Sequence, residues 1–112
     1  MKTEISIQTA QLMVDEWIKT NGVRYFNELT NMTVLMEEVG ELARIMARIY
    51  GEQSFKAGEH KNDISEELAD VFFVLVCIAN QTGINLSEAF LKSIDKKSKR
   101  DSHRHLNNPK LH

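Results

Sequence analysis

Two pairs of acidic residues carry the most chemical information in this sequence of 112 residues. Glu38 and Glu41 are three residues apart in the stretch MEEVGEL, and Glu67 and Asp70 are three residues apart in EELAD. Side chains at positions i and i+3 of a helix are neighbours on one face. Each pair can therefore present its oxygens at one level, and two facing pairs would form a cage of oxygen ligands.

The helical placement of these acids predicts a metal site. When residues are wound at about 100° each, Glu38 falls inside the apolar arc of its helix and Glu41 at the edge of that arc. Glu67 and Asp70 also fall among apolar residues. A lone buried carboxylate is costly, so each must be neutralised, paired or metal-bound. Anionic oxygen ligands suit Mg²⁺, with Mn²⁺ as a substitute.

Other uses of these acids stay open at this point. Glutamate is a good helix former, so a single ExxE pair is common on solvated helices. Buried salt bridges to Arg44, Arg48 or Lys61 would also neutralise the acids. The histidines lie in a loop and near the C-terminus, where solvated side chains are expected, at positions 60, 103, 105 and 112. A single cysteine, Cys77, excludes an intrachain disulfide and fits a reducing cytoplasm.

The pattern of apolar residues and helix caps predicts an all-α bundle of about four helices. The expected helices run from Ile5 to about Asn21, from an N-cap at Thr30 to Tyr50, from Asp63 to Thr82 or Gly83, and from Asn85 or Ser87 to about Asp101. The segment 51–62 is expected to be a mobile loop, and 102–112 a flexible tail. The whole chain, 1–112, is expected to form one domain with its core motif at 28–101.

Composition narrows the function classes. The chain is 42% hydrophobic and 27% charged, with a formal net charge of −2, which is typical of one globular domain and argues against binding a nucleic-acid polymer. The longest apolar run, residues 71–79, is far too short to span a bilayer, and no apolar leader segment is apparent. A cytoplasmic protein without a membrane partner is expected.

The predicted core face of the second helix consists of Met32, Leu35, Val39, Leu42, Met46 and Ile49.

Self-association is expected from the apolar residues of the third helix. The run 71–79 makes the third helix apolar on nearly every side, which is more than one four-helix chain can cover. A homodimer or homotetramer is therefore expected, with Phe72, Phe73 or Val76 at a two-fold interface.

Three stretches together resemble the MazG-type nucleotide pyrophosphohydrolases, namely MEEVGELAR, EELADVFFVLVCIANQTGINLSEA and KKSKRD. The resemblance covers about Glu28 to Asp101. It implies an all-helical dimer or dimer of dimers that requires magnesium and hydrolyses nucleoside triphosphates to monophosphate and pyrophosphate. It also implies that the metal ligands are Glu38, Glu41, Glu67 and Asp70.

The same resemblance suggests substrate contacts. The family's downstream lysine and arginine match Lys96 and Arg100, which share a helix face and would contact the triphosphate. Ser98 stands where the family usually has asparagine, which weakens the assignment of a specific contact at that position. Asn80 is also expected to reach the ligand, although helix capping or interhelical bonding would use it equally well.

The remaining candidates are a proton acceptor and a base-stacking surface. Glu37 or Glu66, each adjacent to a ligand pair, would accept the proton of the attacking water. Trp17, Tyr25 and Phe26 could stack on a base, but packing in the core is the more frequent use of such residues. The resemblance implies house-cleaning of abnormal or excess nucleotides. Alternatives are a dedicated pyrophosphohydrolase acting on phosphoribosyl-ATP or on dUTP or dCTP, and a non-catalytic helical interaction module.

Overall fold

The computed structural model describes residues 3–52, 54 and 63–112, and the regular elements in that part of the chain are all helical. The expected all-α fold is confirmed. The four α-helices are α1 (Ile7–Trp17), α2 (Glu28–Tyr50), α3 (Asp63–Gln81) and α4 (Leu86–Leu106). A π-helical turn, Ile18–Gly22, follows α1, and a 3₁₀ turn, Pro109–Leu111, follows α4.

The end of the first helix is less regular than expected. The hydroxyl of Ser6 accepts a hydrogen bond from the backbone N–H of Thr9 at 2.9 Å and caps α1. After Trp17 the helix widens into the π-helical turn, and Val23 then adopts φ 72° and ψ −56°. The N–H of Arg24 donates to the carbonyl of Gly22 at 2.9 Å, which closes a tight γ-turn at Val23. A β-branched residue with positive φ is strained, so the surrounding packing must hold this turn.

The second helix begins earlier than expected. The side chain of Asn27 accepts a hydrogen bond from the N–H of Thr30 at 2.8 Å, so Asn27 is the N-cap and the prediction of Thr30 is wrong. Asparagine and threonine are both frequent N-cap residues. Asn27 is the cap here because its side chain reaches the backbone N–H three residues later in the chain, at Thr30. The predicted end at Tyr50, followed by Gly51, is confirmed.

The third and fourth helices begin where the sequence predicts. α3 starts at Asp63, and Asn85 caps α4 by accepting from the N–H of Glu88 at 3.1 Å. α4 runs past the expected end at Asp101 to Leu106, supported by ion pairs of Asp101 with Arg100 at 2.8 Å and Arg104 at 3.7 Å. The flexibility of 102–112 stays a prediction, and most of the segment 51–62 lies outside the described residues.

The main core joins α1, the π-helical turn and α3. It contains Val14, Ile18, Val76 and Cys77, with Tyr25 among the half-buried residues packed against it. Val76 has no exposed surface, because α1 already packs over that side of α3. Of the three residues expected at a two-fold interface, Val76 is therefore excluded, and the places of Phe72 and Phe73 stay predictions.

The buried face of the second helix overlaps only part of the predicted core face, of which Leu35, Leu42 and Ile49 are half-buried. Asn31 and Ile45 are buried, whereas Met32, Val39 and Met46 of the expected core face are exposed. That part of the prediction is wrong, because periodicity locates an apolar arc but not the side of it that a neighbouring helix covers. The uncovered side, here called the methionine stripe, comprises Leu29, Met32, Met36, Val39, Met46 and Tyr50.

Among the described residues, no single helix is both long and apolar enough to cross a membrane. The pair Ile64–Gln81 and Leu86–Asp101 passes that test by length and composition only when taken together, and it is bent by 104°.

Candidate active site

The contact between α2 and α3, the most extensive helix contact in the described chain, brings acids from both helices together. Carboxylate oxygens of Glu38, Glu67 and Asp70 all lie within 4.8 Å of one another. Glu38 comes from α2, and Glu67 and Asp70 from successive turns of α3. Glu38 and Glu67 are half-buried and Asp70 is exposed, so the cluster opens to solvent on one side.

Glu67 has an unsatisfied oxygen. Its Oε2 is fully buried and has no hydrogen-bond partner among the described residues. Buried polar atoms are nearly always paired, because leaving one unpaired forfeits its interaction with water. This oxygen therefore marks a position where a cation or water would be strongly stabilised.

Electrostatics in the cluster disfavour two simultaneous negative charges. Burial raises the pKa of Glu38, and the charge of Asp70 raises it further. Burial also raises the pKa of Glu67, followed by the charges of Asp70 and Glu38. Burial and neighbouring negative charge thus both favour the protonated forms of Glu38 and Glu67 among the described residues.

Glu41 lies at the edge of this cluster. Its Oε2 accepts a hydrogen bond from Nη2 of Arg44 at 2.7 Å, and its carboxylate is exposed. The negative charge of Glu41 still contributes to the raised pKa values of Glu38 and Glu67, so it lies close enough to act on them. Its role as a metal ligand stays a prediction.

The two arginines of α2 that could neutralise the acids, Arg44 and Arg48, form contacts with other groups as well. Arg44 forms an ion pair with Glu41. Its charge also lowers the pKa of Glu67, but this effect is smaller than those of burial and of the neighbouring acids, which raise it. Arg48 donates to the carbonyls of Ser54 at 3.2 Å and Arg44 at 3.3 Å. Lys61 lies outside the described residues. Salt bridges within the described chain thus leave the Glu67 oxygen unpartnered.

The two candidate proton acceptors are exposed. Glu37 is the neighbour of Glu38 on α2, and its charge adds to the raised pKa of Glu38. Glu66 precedes Glu67 on α3. Neither side chain forms a hydrogen bond with a described residue, and both roles stay predictions.

Asn80 is part of a hydrogen-bond network between α1 and α3. Its Nδ2 donates to the carbonyl of Gln11 and to the hydroxyl of Tyr25, each at 3.0 Å, and its Oδ1 accepts from Nε2 of Gln11 at 3.0 Å. The Tyr25 hydroxyl in turn donates to Oδ1 of Asp15 at 2.7 Å. These bonds give Asn80 the interhelical role that the sequence left open, and its contact with a ligand stays a prediction.

Lys96 and Arg100 lie on α4, which packs mainly on α1 in the described chain. Lys96 is exposed. Arg100 forms a two-pronged pair with Asp101, through Nε at 2.9 Å and Nη2 at 2.8 Å. The structure does not bring either residue together with the acid cluster within one chain, and their role as triphosphate contacts stays a prediction.

One buried polar residue was missed in the sequence. Asn31 is only 5% exposed, and its Nδ2 donates to Oε1 of Gln81 on α3 at 2.8 Å. Its signal is spacing, because it stands seven residues before Glu38 and therefore on the same face of α2. A buried amide on that face requires hydrogen-bond partners, as the buried carboxylates do.

The donor set of the cluster fits a hard divalent cation. It offers carboxylate oxygens from two helices and one buried oxygen without a partner. Hard cations such as Mg²⁺ prefer such oxygen ligands and retain several waters, which the open side of the cluster allows. The cluster can therefore bind a metal.

Comparison with known proteins identifies the family. Residues 26–105 match the MazG nucleotide pyrophosphohydrolase domain. The chain is similar to YpjD of Bacillus subtilis, with 41% identity over 99 residues that cover 88% of this chain and 89% of YpjD. It is also similar to YvdC of Bacillus subtilis, at 26% identity over 88% of this chain and 99% of YvdC.

Solved structures agree with this assignment. The crystal structure of YpjD, a candidate pyrophosphatase from Bacillus subtilis, superimposes with a TM-score of 0.76 at 40% identity, covering 85% of this chain and 97% of that one. A Bacillus-conserved MazG protein, a nucleotide pyrophosphohydrolase, gives a TM-score of 0.75 at 36% identity, covering 89% and 97%. The chain belongs to the MazG family of nucleotide pyrophosphohydrolases.

Proposed function

We propose that this protein hydrolyses nucleoside triphosphates to nucleoside monophosphate and pyrophosphate in a Mg²⁺-dependent reaction at the acid cluster of α2 and α3. Membership of the MazG family supports pyrophosphatase activity. The observation that carries the proposal is the fully buried Oε2 of Glu67, which has no partner in the described chain and lies beside two further carboxylates. Such an arrangement is hard to maintain without a cation.

Glu38, Glu67 and Asp70 would hold the cation, with Glu41 as a fourth ligand once it releases Arg44. A bound Mg²⁺ would neutralise charge on the phosphate oxygens and make a water more acidic. The side chains themselves have a positioning role: two helices fix the carboxylates from opposite sides, so the site is formed before substrate arrives.

The reaction adds one water across a phosphoanhydride. Oxygen of water attacks the α-phosphorus and forms a new P–O bond, while the bond from that phosphorus to the bridging oxygen breaks and pyrophosphate leaves. Glu37 or Glu66 accepts the proton of the attacking water. Lys96 and Arg100 bind the phosphate oxygens, and Arg100 would exchange its contact with Asp101 for one with substrate.

The active form is a homodimer or homotetramer. The methionine stripe of α2 and the exposed Leu68, Phe72 and Leu75 of α3 are apolar surfaces of the two helices that carry the acids. Large apolar side chains exposed along two adjacent helices favour a protein interface there, and two-fold pairing is its commonest form. A second chain would also supply the α4 cations that lie away from the acids within one chain.

The biological role that fits this chemistry is removal of abnormal or excess nucleotides in the cytoplasm. A panel of ribo-, deoxyribo- and modified nucleoside triphosphates, with phosphoribosyl-ATP included, tests the proposal. Pyrophosphate release from several triphosphates, dependent on Mg²⁺, is the expected result. Turnover of only phosphoribosyl-ATP, dUTP or dCTP would point to a dedicated enzyme, and release of orthophosphate would contradict the proposed reaction.

A further inference from the structure

The acids of α2 lie between a cavity and a cation on one flank of the helix. At about 100° per residue, Val34 and Glu41 point within about 20° of each other, and Arg44 points about 60° further round in the same sense. Val34 stands four residues before Glu38, and Arg44 stands three residues after Glu41. These separations are roughly 4–6 Å along the helix axis. A ligand bound at the acids can therefore extend along this flank in either direction.

The direction towards Val34 leads into a partly enclosed cavity of about 270 Å³. Its walls include the rings of Trp17, Tyr25, Phe26 and Phe73. A concave apolar space of this kind suits the nucleoside end of a substrate, and its volume is too small for a whole nucleotide. The phosphates beyond the scissile bond must then extend past the acids in the opposite direction, towards Arg44.

Arg44 brings positive charge to the acid cluster within one chain. Its Nη2 donates to Oε2 of Glu41 at 2.7 Å. Burial and the neighbouring acids raise the pKa of Glu67 and the charge of Arg44 lowers it, so the guanidinium lies close enough to act on that carboxylate. The side chain of Arg44 is 37% exposed, compared with 77% for Lys99 of α4, so contact with its own helix pair restricts where the guanidinium can move.

The ion pair between Arg44 and Glu41 can be exchanged at little cost. Both side chains are partly exposed, and ion pairs between neighbouring turns of a solvated helix contribute little to stability. Glu41 is also a predicted metal ligand, and a carboxylate that turns towards a divalent cation gives up its bond to the guanidinium. The planar guanidinium can then present its forked N–H donors to phosphate oxygens, which match that geometry.

A second arginine adds positive charge beside Arg44. Arg48 stands four residues later on α2, and its Nη1 donates to the backbone carbonyl of Arg44 at 3.3 Å. Two neighbouring cations attract a ligand of high negative charge. Pyrophosphate carries more negative charge than a nucleoside monophosphate, so the arginine side of the acids favours the leaving group.

We propose that Arg44 binds the β- and γ-phosphates of the substrate, the part that leaves as pyrophosphate, and that Glu41 holds Arg44 in an ion pair until Glu41 binds the metal. The inference rests on the proposed function, since it takes the α-phosphate to lie at the acid cluster. Arg44 contacts the leaving group and takes part in no covalent step. Because metal binding releases Arg44 from Glu41, the metal and the phosphates bind cooperatively.

Calorimetric titration with pyrophosphate tests the phosphate contact without turnover. Protein saturated with Mg²⁺ is titrated with inorganic pyrophosphate, which represents the leaving group, and with AMP, which carries only the α-phosphate. Arg44→Gln should weaken pyrophosphate binding about tenfold, because one charged contact is lost, and should change AMP binding less than about twofold.

Lys99→Gln is the matched control. It also removes a positive charge from an ion pair on a helix surface, that of Lys99 with Asp95 at 3.0 Å on α4, and should leave both affinities unchanged. Circular dichroism of the two variants checks that the helices are intact.

Calorimetric titration with Mg²⁺ alone tests the ion pair. Arg44→Gln should raise the Mg²⁺ affinity about two- to fivefold, because Glu41 no longer leaves a partner when it binds the metal. The same substitution in a protein that already carries Glu41→Gln should change the Mg²⁺ affinity less, since no ion pair is broken there. Equal gains in both proteins would overturn the exchange of partners, because Arg44 would then act on the metal only through its charge.

The outcomes separate this inference from the proposed function. Pyrophosphate affinity that is equal in wild type and Arg44→Gln, or weakened as much by Lys99→Gln, would overturn the role of Arg44 even if wild-type protein releases pyrophosphate from triphosphates. Equal weakening of pyrophosphate and AMP binding would contradict a contact with the leaving group. Pyrophosphate binding that depends on Arg44, without turnover of any triphosphate, would support the contact and contradict the proposed reaction.

Discussion

Glu67 of α3 faces Glu38 of α2 across the helix pair, with carboxylate oxygens within 4.8 Å of each other. The two half-buried acids come from different helices, so their approach is maintained by the packing of α2 on α3 and not by local sequence. Like charges at such a distance repel, and burial strengthens the repulsion. The helix pair therefore assembles a group of acids that can hold a metal cation.

Loss of one ligand charge should reduce turnover strongly. Glu38→Gln and Asp70→Asn keep size and helicity but remove a negative oxygen, so kcat with Mg²⁺ should fall at least about a hundredfold. The fold should survive, because the change relieves repulsion in the metal-free protein. Glu16→Gln on the exposed face of α1 is the matched control. Near-normal Mg²⁺-dependent activity in both cluster variants would show that these acids are not the ligands.

Metal-free protein should lose stability as pH rises through the mildly acidic range. The folded-state pKa of Glu67 and that of Glu38 are raised above the ordinary 4.5. Above pH 4.5 the folded protein therefore holds protons that the unfolded chain has released, and the free energy of unfolding falls until the raised pKa values are passed.

Comparison with a variant isolates this effect. Asp15 and Asp101 have lowered pKa values, so they contribute stability that increases with pH, but they do so equally in both proteins. Chemical denaturation across this range in the presence of a chelator should show a smaller decline for Glu67→Gln than for wild type. If the free energy of unfolding depends on pH in the same way in both proteins, the pKa of Glu67 is not raised in the folded state.

The sequence predicted the helices well where capping groups and glycines act locally. The end of α2 at Tyr50 and the cap of α4 at Asn85 follow from single residues. The π-helical turn after Trp17 was not predictable, because a shift from i+4 to i+5 bonding leaves no pattern in residue types.

The candidate site was predictable only in part. Spacing placed Glu38, Glu67 and Asp70 on facing sides of two helices, as observed. It could not show that Glu41 turns towards Arg44, because residues at i and i+3 are also favourable partners for an ion pair. Asn31 was overlooked although it stands seven residues before Glu38 on the same face of α2, and its partner Gln81 lies on another helix, which spacing within α2 does not reveal.

The basic residues of α4 should affect substrate affinity more than metal affinity. Lys96→Ala and Arg100→Ala should each raise KM for the triphosphate about tenfold, which corresponds to the loss of one charged contact. Lys99→Ala is the control on the same helix, because Lys99 pairs with Asp95 at 3.0 Å. Unchanged KM in both variants would leave Lys96 and Arg100 as solvated surface.

Self-association should depend on the methionine stripe of α2. Light scattering of wild-type protein at micromolar concentration should give a dimer or tetramer. Met36→Lys puts a charge into the stripe and should shift the mass towards the monomer. Thr30→Lys, which adds the same charge at an exposed position about 120° round α2 from Met36, should leave the mass unchanged. A fully active wild-type monomer would rule out the assembly proposed here.

Calorimetric titration of the metal-free protein with Mg²⁺, comparing wild type with Glu67→Gln, tests the role of the acid cluster most directly. We expect saturable binding to wild type and an affinity at least about tenfold lower for Glu67→Gln, since Glu67 supplies the buried oxygen that lacks a partner among the described residues. Equal Mg²⁺ affinity in the two proteins, or no binding to wild type, would contradict a metal site at the acid cluster.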